Sequence, residues 1–122
     1  MKINYHEFIK QDESQKKETL GSFYHDLLSK NRDEQVQIFI NFLENISKDT
    51  DDEQYENICR LSMEVFLSLK DVNLRDLMAV RLEAQFELPD DDRMVDSMNL
   101  LRAIESMPEK DVLLDMIKSI ER

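Results

Sequence analysis

Glycine is nearly missing from this 122-residue chain: Gly21 is its only one, and Pro89 and Pro108 are its only prolines. Hairpin turns and phosphate-cradling loops rely on glycine for backbone conformations that other residues avoid. The scarcity therefore excludes a turn-rich sheet and a glycine-rich nucleotide loop, and favours helices joined by short polar connections. The single cysteine, Cys59, rules out an intramolecular disulfide and fits a reducing compartment. Tryptophan is absent, and no stretch approaches the roughly 18 to 20 consecutive apolar residues of a membrane span. The segment Met1-Lys2-Ile3-Asn4-Tyr5-His6-Glu7 has no apolar core of the kind a secretory signal needs. A cytoplasmic protein is the expectation.

Positive charge is also scarce. Sixteen lysines and arginines face 27 acids, for a net charge of −11. Residues 1–31 are balanced, with five acids and five lysines, so residues 32–122 hold 22 acids against 11 bases and carry the whole imbalance. Such a chain is repelled by nucleic acid and anionic membranes and attracted to basic surfaces. Solubility alone is the plainer account of surplus acid.

What remains is ample material for one helical domain. Apolar residues make up 41% and charged residues 35%, the balance of a soluble globular chain with a core. Leu20, Phe23, Tyr24, Leu27 and Leu28 repeat at i, i+3, i+4, i+7, i+8, which predicts a first helix over 14–30. Asn31 with Glu34 three residues on reads as the capping box of a second, carrying Val36, Ile38, Phe39, Ile40, Phe42, Leu43 and Ile46. These cover an arc of about 200°, wider than one buried face, so this helix is central or meets a partner. Thr50 with Glu53 reads as the cap of a third helix, running to about Leu69 through Tyr55, Ile58, Cys59, Ser62, Val65 and Phe66. Asn73 caps a fourth, with Leu74, Leu77, Met78, Val80, Leu82 and Phe86, which Pro89 stops. Asp90 caps a fifth that places Met94, Val95, Met98, Leu101, Ile104 and Met107 inward, and Pro108 opens a sixth with Val112, Leu113, Met116, Ile117 and Ile120.

Connections this short return each helix along the last, giving an all-α compact bundle of about six antiparallel helices, arranged as three hairpins. The hairpins recur at a spacing typical of helical-repeat proteins but share no residue signature. Residues 14–122 form the single domain, and residues 1–13, with Ile3, Tyr5, Phe8 and Ile9, form an arm that docks on the bundle or on a partner.

The stretch DTDDEQYENI places five acids between Asp49 and Glu56, and a second acidic run follows at Asp90-Asp91-Asp92. Neither is a calcium loop. An EF-hand needs a sharp-turn glycine at its sixth position and a bidentate glutamate at its twelfth. Counting from Asp49 those positions are Gln54 and Arg60, and from Asp90 they are Val95 and Leu101. Acids in a first helical turn interact favourably with the free N–H groups there, which explains each of them singly. In an up-and-down bundle, however, alternate helices start at the same end. Asp49, Asp51, Asp52, Glu53, Glu56, Asp90, Asp91 and Asp92 would then share one pole, opposed nearby only by Lys48 and Arg93, while the other end is mixed in charge.

Chemistry-bearing residues do not converge in the sequence. His6 and His25 are the only histidines, and with Cys59 they make a poor supply of zinc ligands. His25 lies beside the apolar stripe of the first helix and reads as a packing residue, and Cys59 falls on an inward face as an inert thiol. No metal, cofactor or catalytic residue is expected. Arg81 is the one charge out of place, inside the apolar sector of its helix with Gln85 one turn on; it belongs either to an internal ion pair or to a solvent-lined groove. Met63, Met78, Met94, Met98, Met107 and Met116 read as core filling rather than an adaptable groove. The expectation is a non-catalytic acidic protein-binding module. It would be an inhibitor, immunity or antitoxin type that occludes the basic surface of a toxin, nuclease or other nucleic-acid-handling protein, without touching nucleic acid itself. The alternative is an adaptor or structural subunit that binds another helical protein, or a second copy, through apolar helix faces.

Overall fold

A computed structural model describes residues 3–120 and is all-helical. Met1 and Lys2 of the predicted arm, and Glu121 and Arg122 of the domain, lie outside the described residues. Seven helices follow one another: α1 (Tyr5–Lys10), α2 (Glu13–Leu28), α3 (Arg32–Asp49), α4 (Asp52–Ser68), α5 (Leu74–Phe86), α6 (Asp90–Glu105) and α7 (Lys110–Ile120). The extra helix, α1, is the arm. It packs on α2 and α3, with Phe8 buried edge-on against Phe42, ring centres 6.3 Å apart.

The helix starts follow local chemistry, with two corrections to the caps. Asp12 with Gln15 and Asp51 with Gln54 form complete capping boxes, in which side chain and backbone N–H satisfy each other reciprocally. Thr50 is therefore not the cap of α4. It ends α3 instead, its hydroxyl donating to the Ile46 carbonyl at 2.6 Å, because aspartate one residue later is in position to accept from the Gln54 N–H. Nor does Asp90 cap α6: Pro89 occupies that position without a side-chain hydrogen bond, and Asp90 lies inside the first turn. Asn31 and Asn73 do cap α3 and α5. Pro108 precedes α7 by two residues, in the turn before it, rather than opening the helix. With glycine so rare, the left-handed residue between α4 and α5 is Asp71, at φ 59°, one of the few side chains that tolerate that region.

The most extensive contacts join helices two apart in the chain, so the bundle has two rows, α2–α4–α6 and α3–α5–α7, with α1 laid on α3. The wide apolar arc of α3 is explained by its place: it meets α1, α2, α5 and α6. Phe23 of α2 joins the rows, its ring 5.4 Å from Phe39 and 4.9 Å from Phe42. Outside this core, Glu13 and Glu64 hold Arg60 at 2.7 and 2.6 Å, and Lys17 reaches Glu64 at 2.7 Å, fastening α2 to α4.

The inward face of α6 departs from the sequence reading. Met94, Met98 and Leu101 are 65%, 43% and 44% exposed, and the buried residues are Asp96, Asn99, Leu100, Ala103 and Ile104. The cause is Arg81, which points into the core from α5. Its two terminal nitrogens reach Asp96 Oδ2 and Oδ1 at 2.7 Å each. Tyr55 donates to Asp96 Oδ1 at 2.7 Å and Gln85 to Oδ2 at 2.8 Å. Residues two apart on a helix point about 200° apart, so turning Asp96 inward turns both Met94 and Met98 outward. Phe86 is exposed too, at the solvent side of the last turn of α5. Met63, Met78 and Met107 do fill the core, whereas His25 is exposed rather than packed, one step beyond the buried Tyr24.

Two stability measurements test this account. Breaking the pair with Arg81→Met strands a buried carboxylate and lowers the unfolding free energy by about 3–5 kcal/mol, whereas the double change Arg81→Met with Asp96→Leu recovers most of that loss in urea denaturation. A Cβ added at Gly21 would meet nothing within 4 Å, so Gly21→Ala in the interior of α2 raises stability by about 0.5–1 kcal/mol.

Candidate functional site

Two groups of residues could carry a function: the polar centre around Asp96 and the acidic end of the bundle. The polar centre is enclosed. Arg81 and Asp96 lie in an ion pair, not a solvent-lined groove, and both are almost wholly buried. The cavity beside Arg81, Cys59 and Ser62 holds about 10 Å³, space for one water at most. Burial alone would push the Asp96 carboxyl upward, but the facing guanidinium and the hydrogen bonds from Tyr55 and Gln85 hold it below the ordinary carboxylate range. Burial, reinforced by the Asp96 charge, raises the Cys59 thiol and the Tyr55 phenol. Burial also takes Tyr24, whose hydroxyl shares a 2.9 Å hydrogen bond with that of Ser62, up to about 12. These shifts make every group here harder to use as a base or nucleophile. Nearby, Asn99 donates to Asp52 at 3.2 Å and to the Val95 carbonyl at 3.0 Å, while its own Oδ1 is buried without a partner.

The acidic end is open. Ser47, in the last turn of α3, donates to Asp92 Oδ1 at 3.0 Å, which places the start of α6 against the turn that ends in Asp49. The bond from Asn99 to Asp52 sets α6 against the start of α4. Asp92 thus brings the second acidic run to the turn carrying Asp49, while Asp52 lies against Asn99 in the second half of α6, so the two runs meet at that turn alone. They are not a single tight cluster. Asp51, Glu53 and Glu56 face a surface groove of about 510 Å³, lined also by Lys16, Asn57, Arg60 and Ser106.

Their neutralisation is slight. Asp51 is engaged as a cap, and Asp52 and Asp92 accept from neutral side chains. Asp90 is paired with Arg93 at 2.7 Å. Two cations line the groove with these acids: Arg60 is committed to Glu13 and Glu64, and Lys16 makes no salt bridge with a described residue. Asp49, Glu53, Glu56 and Asp91 make no salt bridge with a described residue. No group of three or more His, Cys, Asp or Glu side chains is placed to hold a metal ion, and no helix is long and apolar enough to cross a membrane, among the described residues. Sequence reasoning found these acids but missed the outward Met94, Met98 and Leu101. The available signal was Asp96, two residues from each methionine and a natural partner for the misplaced Arg81.

The polar centre predicts a two-sided pH profile. The lowered carboxyl of Asp96 stabilises the fold fully above the unfolded value of about 3.9, and that contribution is lost as pH falls through the folded value. Cys59 and Tyr24 act on the alkaline side. The unfolded chain releases those protons first, so stability declines as pH rises past unfolded values of about 8.5 and 10. Urea midpoints measured against pH should be level between about pH 5 and 8 and fall on both sides. Cys59→Ala should move the alkaline decline upward, and Asp96→Asn should flatten the acid one. Compared with known protein families, curated proteins and solved structures, the chain matches none.

Proposed function

We propose that this protein is a non-catalytic binding module that occludes a basic protein surface, in the manner of an inhibitor or immunity protein acting on a toxin or nucleic-acid-handling enzyme. The observation that carries this reading is the approach of the second acidic run to the turn carrying Asp49, with Asp49, Glu53, Glu56 and Asp91 in no salt bridge with a described residue. Steering by such a field raises association rates, and the rim charges also reject like-charged partners. The same field repels nucleic acid, which makes a protein that handles nucleic acid a better match than the nucleic acid itself. The enclosed polar centre, with its carboxylate and guanidinium satisfying each other, supports binding rather than catalysis.

A second reading, a helical adaptor working through apolar faces, draws on the exposed Met94, Met98 and Leu101 of α6. It no longer draws on α3, whose apolar arc is covered by α1, α2, α5 and α6. The two readings are compatible if the acids guide the encounter and the apolar side chains hold it.

The test is kinetic. Proteins captured from lysate by the immobilised chain at low salt should be basic, and they should be lost at high salt. For each, the variant Asp49→Asn, Glu53→Gln, Glu56→Gln should associate about tenfold more slowly than the parent, with a flatter salt dependence and a dissociation rate changed far less. Equal association rates for parent and variant, at low salt, would remove the electrostatic basis of the proposal.

A further inference from the structure

The outward face of α6 carries a straight line of side chains. Asp91, Met94, Met98, Leu101 and Glu105 follow one another at intervals of three and four residues, so they lie within one narrow strip of the helix surface. Two methionines and a leucine form the middle, each more than two-fifths exposed, and an acid closes either end. The strip is about 21 Å long, at 1.5 Å for each of the 14 steps from Asp91 to Glu105. Nothing in the core requires these apolar side chains, since Asp96, Leu100, Ala103 and Ile104 supply the inward face. Their exposure follows from the Arg81–Asp96 pair, which fixes the rotation of α6.

We infer that this strip is the docking site for one cationic amphipathic helix of a partner protein. The inference rests on the basic-partner reading above and specifies what that partner presents. Three apolar side chains at helical spacing form a ridge that fits the groove between side-chain rows of another helix. Methionine suits such a contact, because its unbranched thioether adapts to different apolar partners. The acids at the two ends select the charge. A helix laid along the strip meets Asp91 near one end and Glu105 near the other, so it should carry lysine or arginine about four turns apart, flanking a short apolar face. Of the two basic side chains of α6, Arg93 is held by Asp90 away from the strip, and Arg102, one residue past Leu101, borders the strip with no salt bridge to a described residue.

Charge also argues against a second copy as the occupant. Two α6 strips packed antiparallel oppose Asp91 to Glu105 at both ends, and packed in parallel they oppose each acid to itself. Either way acids meet acids, on chains that each carry a net charge of −11.

The experiment uses the full chain and a synthetic 18-residue peptide of leucine and lysine, with the leucines on one helical face. A second peptide of identical composition but shuffled order, without helical periodicity, serves as the control. In a methyl NMR titration, the Met94 and Met98 signals should move with the amphipathic peptide, while those of the buried Met63, Met78 and Met107 stay in place. The charge-neutral variant Met94→Gln, Met98→Gln, Leu101→Gln, altered only at exposed positions, should bind that peptide at least about tenfold more weakly and bind the shuffled one as the parent does. The inference falls if the variant binds the amphipathic peptide as tightly as the parent, or if the parent binds neither peptide. It also falls if the parent sediments as a dimer that the variant cannot form, since a second copy is then the occupant. Loss of peptide affinity in the Asp49→Asn, Glu53→Gln, Glu56→Gln variant, alongside unchanged affinity in the α6 variant, would sink the strip while leaving the acidic-end reading standing.

Discussion

The buried contact between Arg81 and Asp96 decides how the last third of this fold is assembled. An isolated charge in the core would be prohibitively costly, so the guanidinium requires a carboxylate, and the carboxylate requires its remaining lone pairs to be filled. Tyr55 and Gln85 fill them, drawing α4 and α5 to the same point from two sides. The pair fixes which way α6 faces. An apolar helix can settle in several rotations of similar energy, whereas a bidentate ion pair with two further hydrogen bonds permits one. Such a pair adds little net stability compared with apolar residues of the same volume; its effect here is to select one arrangement.

Much of the architecture was legible in the sequence because helices announce themselves locally. The spacing of Leu20, Phe23, Tyr24 and Leu27 gives the inward face of α2 directly, and Asn31 and Asn73 are caps by their chemistry alone. The breadth of the α3 arc correctly signalled a helix with neighbours on several sides. Cap positions failed where two good candidates stood side by side. Thr50 and Asp51 both suit the start of α4, and the winner depends on a Gln54 side chain returning to the backbone.

The reading of α6 failed for a deeper reason. Binary patterning assumes that apolar residues turn inward, and on α6 two strips compete: Met94, Met98 and Leu101 on one side, Leu100, Ala103 and Ile104 on the other. Only the tertiary partner of Arg81 distinguishes them, and that partner lies 15 positions along the chain. The acidic runs were legible as charge. Their distribution around the groove beside Arg60, and their links through Ser47 and Asn99, depend on how α6 lies on α3 and α4, which no local pattern encodes.

That division of α6 into two faces has an evolutionary side. Substitutions at Met94, Met98 or Leu101 leave the interior untouched, so selection for a new target can act on them without drawing down the modest stability of a small domain. A lineage of such chains should therefore diversify fastest on the outer surface of this helix and remain nearly invariant at Asp96 and Arg81, with specificity drifting while the scaffold stays still.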